Sequence, residues 1–585
     1  MKTRKTSKPK RATPVVVAGA PGADAWIWIC AASVVIALFA AFGVYWPAIH
    51  GPFLFDDMHL TYMLPNAADL ALREWLNQTR PLLMFTFWLN YQLSGAQETF
   101  GYHAVNVLLH FFNALFAFLA IRKVLSWASV EESRNRMLSL FAAGIFLLHP
   151  LQTESVSYVA SRSETLSVFF VLAAFVVFLY RPGATLSLSR ILALLALFAC
   201  AALSKEHTVV LPVLFILGDY YWNFEFSPSV IWRNWKLYVP IAAGAAFASV
   251  GVLRILRGNP SAGFQMQGLT WYQYFFTECR VIWDYIRLFL VPIGQNLDPD
   301  IEISRTVTAH GAIFGLAGLL GVSVLAWIYR RRFPIASYGW FAFLILLAPT
   351  SSFAPIRDPL VERRLYLPFI GLLLISVEFL RRWKASKNLF VGSLALVLVA
   401  EGVMTYQRNL LWGNAVDIWK DAVSKSPRKM RPRFHLALAY IQAGSCSNAV
   451  DEFQQAAALE LPTYDPMLDW EHELLRDWGL AYDCAGNPQQ AIAKFQQAVV
   501  QHPDGQLYAQ MGMEYGKIRQ YPEALDALAT AQELDPGFAL TYYNLGNIHA
   551  IQGNQAQAIG DYERVLALDP HNAPARAALV RMGIR

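Results

Sequence analysis

Charge is scarce in this chain. Only 15% of its 585 residues are Asp, Glu, Lys or Arg, against 55% hydrophobic and 14% aromatic, and the mean hydropathy is positive, +0.33. A single soluble domain of this size does not normally carry that balance, so much of the chain needs an apolar solvent. Cysteine is scarce as well: Cys30, Cys200, Cys279, Cys446 and Cys484 lie far apart with no CxxC spacing. That distribution indicates neither a zinc site nor a disulfide framework. There is no GxxxxGK loop, no GxGxxG after a strand, no HExxH and no nucleophile elbow, so nothing points to ATP or nicotinamide chemistry. The net charge of +6 comes largely from the opening MKTRKTSKPKR. An apolar stretch follows soon after, so this tail is read as a cytoplasmic topology signal and not as a nucleic-acid arm.

What is present is a series of apolar runs long enough to span a hydrocarbon layer of about 30 Å. They lie near 26–49, 102–121, 137–149, 164–180, 191–204, 207–222, 237–256, 308–329, 335–350, 365–380 and 388–406, which makes eleven crossings, several of them short. The first is longer than the apolar core of a signal peptide and reads as an uncleaved membrane helix. A twelfth stretch, 271–290, contains Glu278, Arg280, Asp284 and Arg287. Inserting four such charges would cost about 10 kcal/mol, so it is expected to lie in the interface. With eleven crossings, Arg122, Lys123, Arg134, Arg136, Arg181, Arg190, Arg233, Lys236, the arginines at 330–332 and the basic cluster from Arg381 to Lys387 all face the cytoplasm. This obeys the positive-inside rule and leaves the C-terminal region outside.

From about Arg431 the composition turns polar and a repeat appears. Gly479, Gly512 and Gly546 recur at spacings of 33 and 34, in step with Tyr482, Tyr515 and His549, with Ala491, Ala524 and Ala558, and with Pro503, Pro536 and Pro570. That period and residue pattern marks tetratricopeptide helical hairpins, in which small residues let paired helices approach and proline ends the second helix. A weaker repeat runs over 434–462, before an insertion near 462–470, giving roughly four hairpins and a short capping helix. Such an array presents a concave surface for a peptide or partner protein, or else serves only as a packing module. The chain thus divides into a basic tail, 1–25, a membrane domain, 26–410, and an extracytoplasmic array, 411–585.

On this topology the polar residues gather in the outward loops. FLFDDMHL places Asp56 and Asp57 just beyond the first membrane helix. Adjacent carboxylates on an irregular segment point in different directions, so one is expected to face a site while backbone or a cation holds the other. HPLQTESVSYVASRSE supplies His149, Glu154, Arg162 and Glu164 near membrane depth, SKEHT supplies Lys205, Glu206 and His207, and IRDPLVERRLYLP supplies Arg357, Asp358, Glu362, Arg363 and Arg364. Ionisable residues at that depth are costly and are therefore functional candidates, although each taken singly also reads as a salt bridge or interfacial anchor. Together they place acids and bases on one face of one bundle. Sugar transfer from a lipid phosphate to a hydroxyl needs that combination: a carboxylate to take the acceptor proton and cations for the departing phosphate.

The stretches FDDMHL, RPLLMFTFWLNYQLSG, GYHAVNVLLH, HPLQTESVSYVASRSETLSVFF, SKEHTVVLP and ERRLYLPFIGLLL, followed by tetratricopeptide repeats, resemble the transmembrane and tetratricopeptide-repeat O-mannosyltransferases and their prokaryotic relatives. The resemblance covers most of 50–375 plus the array. It implies an all-α, GT-C-like membrane helix bundle with its active site on the extracytoplasmic side, followed by a tetratricopeptide α-solenoid. It also implies a polyprenyl-phosphate sugar donor and an acidic catalytic residue in the first outward loop, here Asp56 or Asp57. Carried over by position, Glu154 joins them as a catalytic candidate. Arg80, Arg162, Lys205, Arg363 and Arg364 become candidates for the donor phosphate, and His149, Glu164, Glu206 and Glu362 further site residues.

The expected activity is inverting transfer of a monosaccharide, mannose by resemblance, to Ser or Thr of a protein recruited by the array. The rivals are a non-enzymatic membrane scaffold, which would need only one crossing, and an enzyme that modifies a glycolipid. No cofactor is specified. A divalent metal near Asp56, Asp57 or Glu154 is compatible with hard oxygen ligands, but three scattered carboxylates do not define a site. The expected location is a bacterial inner membrane with the array in the periplasm, or the ER membrane with the array in the lumen.

Overall fold

The computed structural model describes residues 23–584 apart from 65, 96–97, 223–225, 259–261, 265, 267 and 460–469. Most of the basic tail and the insertion near 462–470 lie outside the described residues. Among the described residues every regular element is a helix, and the one β-pairing is an isolated antiparallel bridge between Ala262 and Ile356.

Each of the eleven apolar stretches overlaps a helix, from Ala23–Tyr45 to Lys387–Trp412, although 207–222 is divided between the short helix Glu206–Val210 and Leu211–Trp222. Five helical segments are long and apolar enough to cross a membrane: Ala31–Ala48, Thr99–Trp127, Val159–Leu179, Ala309–Ile328 and Lys387–Trp412. Three shorter apolar helices, Leu188–Ala202, Pro334–Leu347 and Phe369–Leu380, pack among them. The charged helix Trp271–Leu290 buries Tyr274, Glu278, Val281 and Tyr285 on one face and turns Arg287 outward. Arg280, Asp284 and Arg287 share one stripe of this helix, while Glu278 is buried on the opposite face.

Several polar side chains inside the bundle hydrogen-bond to one another or to backbone carbonyls, as a water-poor interior favours. Asn113 Nδ2 donates to Thr165 O (2.9 Å) and to the Tyr366 hydroxyl (3.0 Å), while His110 lies 2.8 Å from that hydroxyl through Nδ1 and 3.1 Å from Leu147 O through Nε2. His110 is thus a bundle hydrogen-bonding residue. Gly413, just after Lys387–Trp412, lies so close to the short helix Trp46–Ala48 that a methyl group on it would lie 2.5 Å from Pro47 O.

Beyond Trp412, Asn414 caps the helix Ala415–Lys425 by accepting from the N–H groups of Val416 (2.8 Å) and Asp417 (3.2 Å). Four hairpins follow. They pair Met430–Gln442 with Cys446–Ala457, Trp470–Cys484 with Pro488–Gln501, Gly505–Lys517 with Tyr521–Leu534, and Ala539–Ile551 with Gln555–Leu568, and Ala573–Arg581 closes the stack. The recurring glycines sit where each pair touches: a methyl group on Gly546 would lie 2.7 Å from the Tyr562 ring.

One expectation is overturned here. Cys446 and Cys484 form a disulfide, although their separation of 38 residues gave no motif. Cys446 opens one helix and Cys484 ends the next, and the folding back of the hairpins brings their Cα atoms to 5.5 Å.

Candidate active site

The two adjacent aspartates have opposite environments. Asp57 is buried, with Oδ2 accepting from Leu54 N–H at 3.0 Å and Oδ1 from Ala160 N–H at 2.6 Å. It pins the turn Phe55–His59 to the loop before the helix Arg162–Leu179. Burial pushes its carboxyl up to about 8, with the backbone donors at Leu54 and Ala160 pulling the other way. Asp56 is exposed. Its own N–H donates to the Tyr158 hydroxyl at 2.7 Å, so the turn is held by both backbone and side chain while the Asp56 carboxylate stays accessible.

Tyr158 links this turn to a cation. The Arg363 guanidinium lies 5.5 Å from the Tyr158 ring centroid and donates from Nη1 to Glu154 Oε1 at 2.5 Å, and the Arg363 N–H donates to Glu154 Oε2 at 3.1 Å. Burial pulls Arg363 down, but Glu154, Tyr158 and Asp56 together hold it well above its usual value, so it remains charged. Two further cation–carboxylate pairs interact electrostatically with this group. Lys205 pairs with Glu164, with His207 Nε2 at 3.7 Å from the same carboxylate, and Arg80 makes a two-point bond to Glu206 at 2.9 Å through each nitrogen. Burial lowers Lys205 against the opposing charge of Glu164. Glu206 is held below the usual carboxylate range because Arg80 outweighs its burial.

Exposure separates the cations that could meet a ligand from those that cannot. The side chains of Arg80, Arg363 and Lys205 are 34%, 23% and 15% exposed, whereas Arg162 is 0% exposed. The Arg162 guanidinium instead donates to Asn106 Oδ1 (2.9 Å), Thr86 O (3.2 Å) and Tyr102 O (2.9 Å), and lies over the Phe87 ring. Arg364 turns away from the Asp56 group and donates to Pro359 O at 2.9 Å. His149 Nδ1 accepts from Leu151 N–H, and its Nε2 lies 3.1 Å from Phe289 O. Glu362 accepts from Gln295 Nε2 (2.8 Å) and Asn296 N–H (2.7 Å), which fixes the turn that carries Arg363. The structure thus brings together Asp56, Glu154, Arg363, Glu164, Lys205, Glu206 and Arg80. It places Asp57, Arg162, Arg364, His149 and Glu362 in the frame behind them.

Two residues with a part in this arrangement carried no signal as site members. Tyr158 stands inside the loop HPLQTESVSYVASRSE but is not ionised, and nothing in its spacing shows that it bridges Asp56 and Arg363. Arg408 pairs with Asp421 at 2.6 Å, and its charge acts on both Glu154 and Glu362 from the last membrane helix. Among the described residues no group of three or more His, Cys, Asp or Glu is gathered that could hold a metal ion, and Asp57 and Glu154 give their oxygens to N–H donors.

Residues 539–572 match the family described as tetratricopeptide repeat. Among curated proteins the chain is similar to a protein O-mannosyl-transferase of Caenorhabditis elegans, at 24% identity over 72% of this chain and 61% of that one. A protein O-mannosyl-transferase of Drosophila melanogaster is 24% identical over 65% of this chain and 48% of its own length. One of Homo sapiens is 23% identical over 84% and 61% respectively. The chain therefore spans about half to three-fifths of the length of these relatives.

Proposed function

We propose that this chain, a homologue over most of its length of the transmembrane and tetratricopeptide-repeat protein O-mannosyltransferases, is a membrane glycosyltransferase. It moves a monosaccharide, mannose in its relatives' name, from a polyprenyl phosphate to a Ser or Thr hydroxyl of a protein acceptor. The observation that carries the reading is the pairing of one accessible carboxylate, Asp56, with an accessible guanidinium, Arg363, across Tyr158.

In this reaction the acceptor hydroxyl gives its proton to Asp56, and its oxygen forms a bond to the anomeric carbon. The bond from that carbon to the phosphate oxygen breaks, and polyprenyl phosphate leaves with the electron pair. Arg363 receives the growing phosphate charge, with Lys205 and Arg80 behind it, and Glu154, Glu164 and Glu206 hold the three cations in place. Phosphate is already a good leaving group, so no acid is needed. Attack from the face opposite the phosphate inverts the anomeric centre.

The proposed architecture is a GT-C-like bundle of about eleven crossings over 26–410, with the array of 411–585 outside. The Cys446–Cys484 bridge supports this sidedness, since disulfides persist in oxidising compartments such as the periplasm or ER lumen. The array then recruits the acceptor in the compartment where the lipid-linked sugar is presented. The test is reconstitution of the full chain with polyprenyl-phosphate mannose and a Ser/Thr-rich polypeptide, followed by mass spectrometry of the polypeptide. Hexose addition by the wild type and none by Asp56→Asn is expected. Equal addition by both removes the assignment.

A further inference from the structure

The residue before the proposed base stands in an unusual conformation and is gripped by another part of the chain. Phe55 has φ +52°, the left-handed region that a bulky side chain rarely adopts unless its surroundings impose it. Its ring meets the edges of His435 at 5.0 Å and Trp419 at 5.8 Å, and the Arg431 guanidinium lies 5.5 Å from it. Trp419 and His435 stack on each other at 4.6 Å. Burial, with Arg431 beside it, pushes His435 down to about 3, so its ring packs uncharged. None of these three residues belongs to the membrane bundle: they stand on Ala415–Lys425 and on Met430–Gln442, the first helix of the repeat array.

Those two helices are fastened to the outward loops at several points. Arg431 binds Asp298 (Nε to Oδ2, 2.6 Å) and Asp358 (Nη2 to Oδ1, 2.7 Å), and Lys429 binds Asp298 at 2.5 Å. The Ser426 hydroxyl donates to Asp298 O and accepts from Asn296 Nδ2, both at 2.8 Å. The same Asn296 donates its backbone N–H to Glu362, the neighbour of Arg363. One pair of helices thus touches the turn that carries the carboxylate and reaches the turn that carries the cation through Asn296.

We propose that Phe55 is a positioning residue, and that the Trp419 and His435 rings at the head of the array set the backbone of the Asp56 turn. Seating of the array is then a condition for turnover as well as for acceptor capture. The inference rests on the reading of Asp56 as the base, but its first test does not depend on that chemistry.

Hydrogen exchange is measured on the full chain in lipid nanodiscs for the wild type, Trp419→Ala, Trp419→Phe and His435→Ala. Amides of 54–60 are expected to exchange about tenfold faster in both alanine variants and to return towards the wild-type rate in Trp419→Phe, with the helix Thr99–Trp127 unchanged. Trp419 is buried, so its removal also loosens its own helix, and the half-buried His435 is the deciding variant. Unchanged exchange at 54–60 in His435→Ala overturns the proposal. With polyprenyl-phosphate mannose, His435→Ala is expected to lower kcat about tenfold while leaving both KM values near wild type, as for a group acting only through the transition state. A raised acceptor KM at full kcat makes the hairpin a recruiting surface only and also overturns it. If Asp56→Asn keeps full turnover, the underlying reading fails. If Asp56→Asn is inactive while His435→Ala is fully active, only the present inference fails.

Discussion

Arg363 and Glu154 meet at two points: Nη1 lies 2.5 Å from Oε1, and the Arg363 backbone N–H lies 3.1 Å from Oε2. The second contact matters as much as the first, because it ties the carboxylate to the main chain of the turn and leaves the guanidinium one defined direction. Glu154→Gln keeps the shape and removes the charge. A hydrogen bond to a charged group is worth about 1.5–3 kcal/mol, so turnover should fall about 10- to 100-fold. Steady-state kinetics of the reconstituted variant check this, and an unchanged kcat would show that Arg363 needs no such anchor.

Asp56 and Asp57 should separate cleanly. Asp56→Asn removes the proton acceptor from an exposed position, so kcat should drop about 10²- to 10⁴-fold with the melting temperature unchanged. Asp57→Asn leaves one of two backbone donors facing an amide N–H and should lower stability by about 1–3 kcal/mol. Thermal unfolding in detergent, run beside the kinetics, distinguishes the two; the reverse pattern would exchange their roles.

The buried carboxyl of Asp57 also predicts a pH response. Its folded value, about 8, lies above that of the unfolded chain, so between the ordinary carboxylate range and about pH 8 the folded protein keeps a proton that the unfolded chain has released. Its contribution to stability is therefore fully present below the ordinary carboxylate range and is lost as pH rises through 8. Comparing unfolding of the wild type and Asp57→Asn from pH 5 to 9 should show the variant with the flatter profile.

The Cys446–Cys484 bridge closes a loop of 38 residues in separation, for which chain-entropy arguments give about 4 kcal/mol. Cys446→Ser or Cys484→Ser should destabilise the first two hairpins and leave Gly505–Lys517 onward folded, as local hydrogen exchange can resolve. In intact membranes a maleimide that cannot cross the bilayer should label Ala556→Cys from the outside, and the native pair only after reduction. Labelling of Ala556→Cys only after permeabilisation would place the array in the cytoplasm and remove the meeting of donor and acceptor.

Much of the architecture was legible because its determinants are local. The 33- and 34-residue recurrence of Gly479, Gly512 and Gly546, and the apolar runs that become helices, depend on residues contiguous or evenly spaced in the chain. The split between Asp56 and Asp57, one accessible and one held by backbone, follows from their adjacency on an irregular segment, but not which was which. That choice is made by Ala160, 103 residues away, whose N–H claims Asp57. The five candidate cations looked alike in sequence, and only packing buried Arg162 among Asn106, Tyr102 and Phe87.

Short windows of residues were enough to read a helical, mostly apolar chain with tetratricopeptide hairpins beyond about residue 430, since hydropathy and helical period are local properties. The meeting of Glu154 with Arg363 across 209 positions, the pairing of Cys446 with Cys484 and the grip of Trp419 and His435 on Phe55 exist only in the folded chain. Pairing and burial depend on which distant segments the bundle brings within a few ångströms, and no local spacing encodes that distance.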